Sequence, residues 1–154
     1  MNAIEFLIKD HRYQEELLEK LKSSSASEPS KREELYEEFR SELIKHVNIE
    51  EEIFYPRIKK IPKLEAKVLE ALEEHNICMR LLQEIDCKEA DDKLWAAKIA
   101  VLKELTAHHL KEEEEELFPE VQEMATEEFL EEMGTQMRYH KKVTDPEKVL
   151  YPDK

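Results

Sequence analysis

Two segments of this chain are near-copies of each other, and they restrict the possible folds more than any other feature. One reads His46-Val-Asn-Ile-Glu50-Glu-Glu-Ile-Phe-Tyr-Pro56 and the other His109-Leu-Lys-Glu-Glu113-Glu-Glu-Glu-Leu-Phe-Pro119. Histidine, glutamate and proline all recur at an offset of 63 residues. On a helix, residues i and i+4 lie one turn apart on one face. Each copy therefore aims an imidazole and a carboxylate at the same point. The repeat reaches further: Asp10-His11 matches Glu74-His75, and Leu17-Leu18 matches Leu81-Leu82, at an offset of 64. Each half reads as a helix with one histidine, a loop, and a helix with His-x-x-x-Glu.

Periodicity predicts where those helices lie. A first helix is expected over about 2–22, with Ile4, Leu7, His11, Gln14, Leu18 and Leu21 on one stripe. A second is expected over 30–60, carrying Leu35, Phe39, His46, Glu50 and Ile53. Pro56 lies inside it and should bend it. A third, over 63–87, would turn Leu64, Val68, Leu72, His75, Met79 and Leu82 inward. A fourth, over 92–118, would do the same for Trp95, Ile99, Leu102, Leu105 and His109. Thr126 is a natural N-cap for a shorter fifth helix ending near His140. The expected architecture is all-α: an antiparallel up-down-up-down four-helix bundle with a short additional C-terminal helix. Residues 1–143 form the bundle domain, and 144–154, with Pro146 and Pro152, an extended tail. The single glycine and the 40% of charged residues fit long helices and not a sheet.

Placed on inner stripes, His11, His46, His75 and His109 meet at one level with Glu50 and Glu113. Four imidazoles and two carboxylates in an apolar core are costly without a partner. A pair of metal ions removes that cost if both glutamates bridge and each ion takes two histidines. Open positions then remain for water, oxide, dioxygen or another small ligand. Metal pairs of this kind sit about 3.5–4 Å apart. Imidazole and carboxylate ligation without thiolate suits iron or manganese, with zinc a further choice.

These residues resemble the hemerythrin-like (HHE, cation-binding) domain over about residues 4–120. The resemblance implies a four-helix bundle around a non-haem di-iron centre with a bridging oxide or hydroxide. It further implies binding of, or reaction with, dioxygen, peroxide or nitric oxide, and catalase-like peroxide decomposition is the enzymatic form. An iron or oxygen sensor, or an iron storage or delivery module, is the alternative without turnover. Two departures from the oxygen carriers shift the expectation away from reversible carriage. His75 is followed by Met79 where those proteins have a second histidine, and Glu114 occupies the spacing of their aspartate. The internal repeat pairs Glu113 with Glu50, so Glu113 is the expected bridge.

Other side chains near the motif read less sharply. Tyr55 points away from Glu50 on a regular helix, but a one-residue π-bulge before Pro56 would swing it inward by about 100° and make it an extra ligand. The alternative is a tyrosine packed at the bundle end. Glu42 and Gln14 are candidates to support His46 and His11, and His108 and His140 read as flanking or surface residues. Cys78 reads as a buried inert thiol beside the pocket, while Met79, Phe54 and Leu117 exclude water. The run Glu112–Glu116 reads mostly as a solvated face, with attraction of cations toward the centre as its second reading. A net charge of −14 disfavours nucleic acid and anionic membranes as partners. No apolar run reaches membrane-spanning length. Two cysteines too far apart to bridge, with no secretory signal, suggest a cytoplasmic protein, and the fifth helix and tail could carry a partner surface.

Overall fold

The computed structural model describes residues 1–154. Helix α1 (Ala3–Lys22) opens on an Asn2 capping box, in which the Asn2 side chain accepts from Glu5 N and Glu5 answers to the Asn2 N–H. Helix α2 (Pro29–Ile49) runs through a five-residue π turn, Glu50–Phe54, into α3 (Tyr55–Ile58). A short 3₁₀ turn leads into α4 (Glu65–Asp86), which returns along the bundle. Helix α5 (Lys93–Glu112) passes through a second π turn, Glu113–Leu117, into α6 (Phe118–Met124). Helix α7 (Glu127–Val143), capped by Thr126, packs across α1 and α2, and α8 (Pro146–Leu150) is the last helix. No helix is long and apolar enough to cross a membrane.

The two π turns fall at equivalent places in the repeat, and proline explains both. Pro56 and Pro119 have no N–H to give to the carbonyl four residues back. The ladder rearranges one residue earlier: Tyr55 N–H bonds to Glu50 O, and Phe118 N–H to Glu113 O. Each turn absorbs an extra residue and rotates the next stretch of helix by about 100°.

The core divides in two. At the end where α1 meets α2 and α4 meets α5, one apolar cluster gathers Leu17, Leu21, Phe39, Ile44, Leu82, Trp95 and Leu102. At the opposite end, Ile4, Leu7, Phe54, Val68, Phe118, Val121 and Met133 form another, which α7 roofs over. The motif histidines and glutamates belong to neither cluster; they are buried as a polar layer between the two. Gly134 lets α7 cross the start of α1, because a Cβ there would lie 2.6 Å from Met1 O and 2.9 Å from Asn2 C.

The structure corrects several expectations. Of the inward stripe expected over 63–87, Leu64, Val68, His75 and Leu82 are buried, but Leu72 and Met79 are half-exposed, and Ala71, Cys78, Leu81 and Ile85 are buried instead. In α5, Thr106 takes the inner place expected of Leu105. The fourth helix does not stop near 118 but continues to Met124, since a proline at the first turn of a helical segment is well tolerated. The expected extended tail contains α8, with Leu150 buried in the same cluster as Trp95 and Leu82. Arg40 anchors this segment, pairing with both Glu147 and Asp86, and Tyr151 donates to Asp86 (2.8 Å).

Candidate metal centre

Helices α1 and α4 each bring one histidine, and α2 and α5 each bring a histidine followed one turn later by a glutamate. One ligand atom from each of His11, His46, Glu50 and Glu113 lies within 4.8 Å of the others, and the same holds for Glu50, His75 and His109. Glu50 Oε1 is 3.3 Å from His46 Nε2 and 3.1 Å from His75 Nε2, so it spans the two halves. Glu113 Oε1 does the same, at 3.2 Å from His11 Nε2 and 3.4 Å from His109 Nε2. All six residues are buried, and Glu50 and His11 have no exposure at all. Glu114 does not join this group; it approaches His11 from behind.

Each imidazole is held from behind by a carboxylate. Asp10 meets His46 Nδ1 (3.0 Å), Glu74 meets His109 (2.8 Å), Glu114 meets His11 (2.8 Å) and Glu51 meets His75 (2.8 Å). The arrangement obeys the repeat. The acid preceding a histidine on α1 or α4 holds the histidine of the next helix, and the acid after Glu50 and after Glu113 holds a histidine of the other half. A carboxylate only accepts, so each Nδ1 carries a proton, and each Nε2 is the ring nitrogen turned inward.

Reading the sequence misses this carboxylate set, although its members and their offsets are visible there. Glu42, expected to support His46, instead accepts from Lys141 Nζ (2.8 Å). Gln14 is fully buried beside the centre, with neither amide atom hydrogen-bonded. His140 bonds to Asn48 Oδ1 (2.7 Å), and His108 is exposed. Cys78 is buried and free, and burial pushes its thiol up; Cys87 is free and exposed.

The donor set suits metal. His11 Nε2, His46 Nε2, Glu50 Oε1, Glu50 Oε2 and Glu113 Oε1 are buried without a hydrogen-bond partner. Leaving even one such group orphaned costs about 1–3 kcal/mol, and more for a charge. The titration pattern of the bare protein reflects the same crowding. Burial opposes charging of His46, but Glu50 and Asp10 push it up to about 10. Burial likewise opposes ionisation of Glu50, yet His46, His109 and His75 hold its carboxyl well below the usual range.

The π turns decide which side chains close the layer. Tyr55 is turned inward, donating to Glu113 Oε2 (2.6 Å) with its oxygen 3.5 Å from His75 Nε2. Its repeat partner Phe118 stacks on His11 with ring centroids 5.7 Å apart. On the other side, one turn from each histidine, lie Gln14, Leu43, Cys78 and Thr106, which line a cavity against His46, His75 and His109. The Thr106 hydroxyl is also buried without a partner.

Comparison with known proteins gives three findings. The family described as Hemerythrin HHE cation binding domain matches residues 2–121. A crystal structure of a hemerythrin HHE cation binding domain-containing protein from Mycobacterium kansasii superposes with a TM-score of 0.78 at 24% identity, covering 97% of each chain. A curated DNA nickase of Nostoc sp. (strain PCC 7120 / SAG 25.82 / UTEX 2576) is 25% identical over 138 residues, which is 90% of this chain but 38% of that protein.

Proposed function

We propose that this chain, which belongs to the hemerythrin HHE cation-binding domain family, holds two iron ions between His11, His46, Glu50, His75, His109 and Glu113 and reacts there with dioxygen, peroxide or nitric oxide. The observation that carries this reading is the convergence of five buried, partnerless ligand atoms on one point, each imidazole held by its own carboxylate. Bound iron would supply one-electron redox exchange and open coordination positions. The chain does the rest. Glu50 and Glu113 neutralise charge from between the halves, and the four outer carboxylates fix the imidazole tautomers. Tyr55 adds a phenol that donates to Glu113 and, on losing its proton beside a bound metal, would be a further ligand.

The small-ligand part of the reading rests on the cavity over His46, His75 and His109. Leu43, Val47, Cys78 and Leu110 supply its apolar side, and Gln14 can both donate to and accept from whatever enters. Peroxide fits that chemistry: one molecule gives dioxygen while a second is reduced to two waters. A role in sensing, without turnover, is favoured by one contact. Lys141 of α7, outside the matched residues, bonds to Asp10 (2.8 Å), which holds His46. The match to the Nostoc protein spans 38% of that protein, and a net charge of −14 disfavours a nucleic-acid partner for this chain.

Oxygen release from peroxide separates these readings. The iron-loaded protein should release dioxygen and the chelated protein should not. Gln14→Leu should weaken azide binding to the loaded protein roughly tenfold, while raising the stability of the chelated form by about 1 kcal/mol through removal of an orphaned amide. Equal peroxide decay with and without metal would leave only the sensing or storage roles.

A further inference from the structure

The two faces of the polar layer differ in their cover. Helix α7 lies across α1 and α2, and the Nζ of its Lys141 occupies Asp10 and Glu42. Nothing comparable covers α4 and α5. A pocket opens there instead, with Glu70, Glu74, Glu112 and Glu116 around it and the buried His109 and Glu113 also in its lining. The one lysine of the pocket, Lys67, is already bonded to Glu120 (3.3 Å).

At this pocket sits a second constellation with ligand chemistry. His108 Nε2 lies 3.0 Å from Glu112 Oε1 and 3.8 Å from Glu74 Oε2, and ligand atoms of these three residues fall within 4.8 Å of one another. The other oxygen of Glu74 holds His109 Nδ1 (2.8 Å), so the outer group touches the inner one through a single side chain. Glu113 is only 2% exposed, and its Oε1 has no hydrogen-bond partner. An outer group of two acids and an imidazole alone is an ordinary solvated surface. Joined by one pocket to a buried carboxylate oxygen that lacks a partner, it becomes a route.

We propose that Glu74, His108 and Glu112 form an outer site for divalent cations, from which the ion passes through the α4–α5 pocket to His109 and Glu113. This outer site presupposes the metal-binding function proposed for the inner centre and adds how the pair is loaded. A hydrated cation cannot enter a dry core without losing water, and each lost water needs a replacement oxygen or nitrogen. The outer group offers both atom types at partial exposure, as first-row divalent ions prefer. The surrounding acids concentrate cations at the opening. The opposite face offers no such step, because Lys141 already supplies the positive charge.

Loading kinetics test this without relying on turnover. Chelated parent protein and the double variant His108→Gln/Glu112→Gln are mixed with cobalt(II), and its visible bands are followed by stopped flow, with cobalt content measured at the end. Both positions are at the surface, with side-chain exposures of 62% and 32%, so the fold is not at stake. The double variant should load about tenfold more slowly and reach the same final content of two ions. The remote surface variant Glu128→Gln should load at the parental rate. Equal rates in parent and double variant, with two ions bound in each, would overturn the outer site while leaving the inner one intact. Failure of the parent itself to bind cobalt would overturn the metal reading instead.

Discussion

The two halves of the centre are built from the same repeat, yet one is sealed and the other open. The His11–His46 side is roofed by α7: Lys141 neutralises Asp10, and Phe118 stacks on His11. The His75–His109 side faces the acid-lined pocket, and its aromatic residue is Tyr55, with a hydroxyl 2.6 Å from Glu113. The repeat supplies a near-symmetric set of nitrogen and oxygen donors. The asymmetry comes from residues outside it, in α7, and from one phenolic oxygen. A symmetric cage can thus be opened on one side without altering any of its donors.

Substitutions behind the imidazoles should have the largest effect on this contrast. Loss of an orienting carboxylate typically costs 10–100-fold in metal affinity. Asp10→Asn should fall at the upper end, because it also leaves Lys141 half-buried without one of its two acids. Glu74→Gln should fall at the lower end, since solvent reaches the vacated position. Competition titrations against a chelator would read both, and equal losses would mean that the roof contributes nothing.

Exchanging the aromatic residues probes the same contrast from within the layer. If Tyr55 ligates ferric iron, the oxidised protein should show a broad visible band that Tyr55→Phe removes. Phe118→Tyr places a phenol at the repeat-equivalent position beside His11 and should add absorbance of the same kind. A spectrum unchanged by either substitution would make Tyr55 a packing residue and a hydrogen-bond donor only.

Much of this is legible in the sequence because its signals are periodic. The six clustered side chains, the helices bearing them and a π-bulge at Pro56 all follow from spacing and from proline lacking an N–H. The same logic applies to Pro119, yet periodicity alone ends the fourth helix there. Glu42 is the natural sequence candidate to support His46 because it lies one turn away on the same helix. The acid that serves is Asp10, on a neighbouring helix, and only packing decides which neighbour approaches. The burial of Ala71 and Cys78 in place of Leu72 and Met79 has the same origin: both pairs are apolar, and the crossing of helices chooses between them. For α8, two prolines suggest extension, but Pro146 sits in the first turn and Leu150 finds a core to join.

The smallest expected effect lies far from the centre and serves as a control on it. Burial raises the Asp86 carboxyl, but hydrogen bonds from Arg40, Tyr36 and Tyr151 outweigh this and hold it below its usual 3.8. A carboxyl depressed in the folded state stabilises the protein above its unfolded pKa, and that stability is lost as pH falls through the folded value. In chelated protein, Asp86→Asn should therefore flatten the fall in Tm below about pH 4 relative to the parent, and leave metal content at neutral pH unchanged. An acid limb identical to the parent's would show that the Arg40 cluster does not anchor α8 through charge.

Everything proposed for the centre depends on Glu50 and Glu113 bridging two metal ions, and elemental analysis of freshly purified protein is the decisive measurement. The parent should contain two ions per chain, with iron the dominant metal, and removing them should lower the Tm by about 15 °C or more, since each tightly held ion stabilises by several kcal/mol. Glu50→Ala and Glu113→Ala should each lose the pair. Two ions retained in both variants, or a Tm indifferent to chelator, would refute the bridging role of the two glutamates.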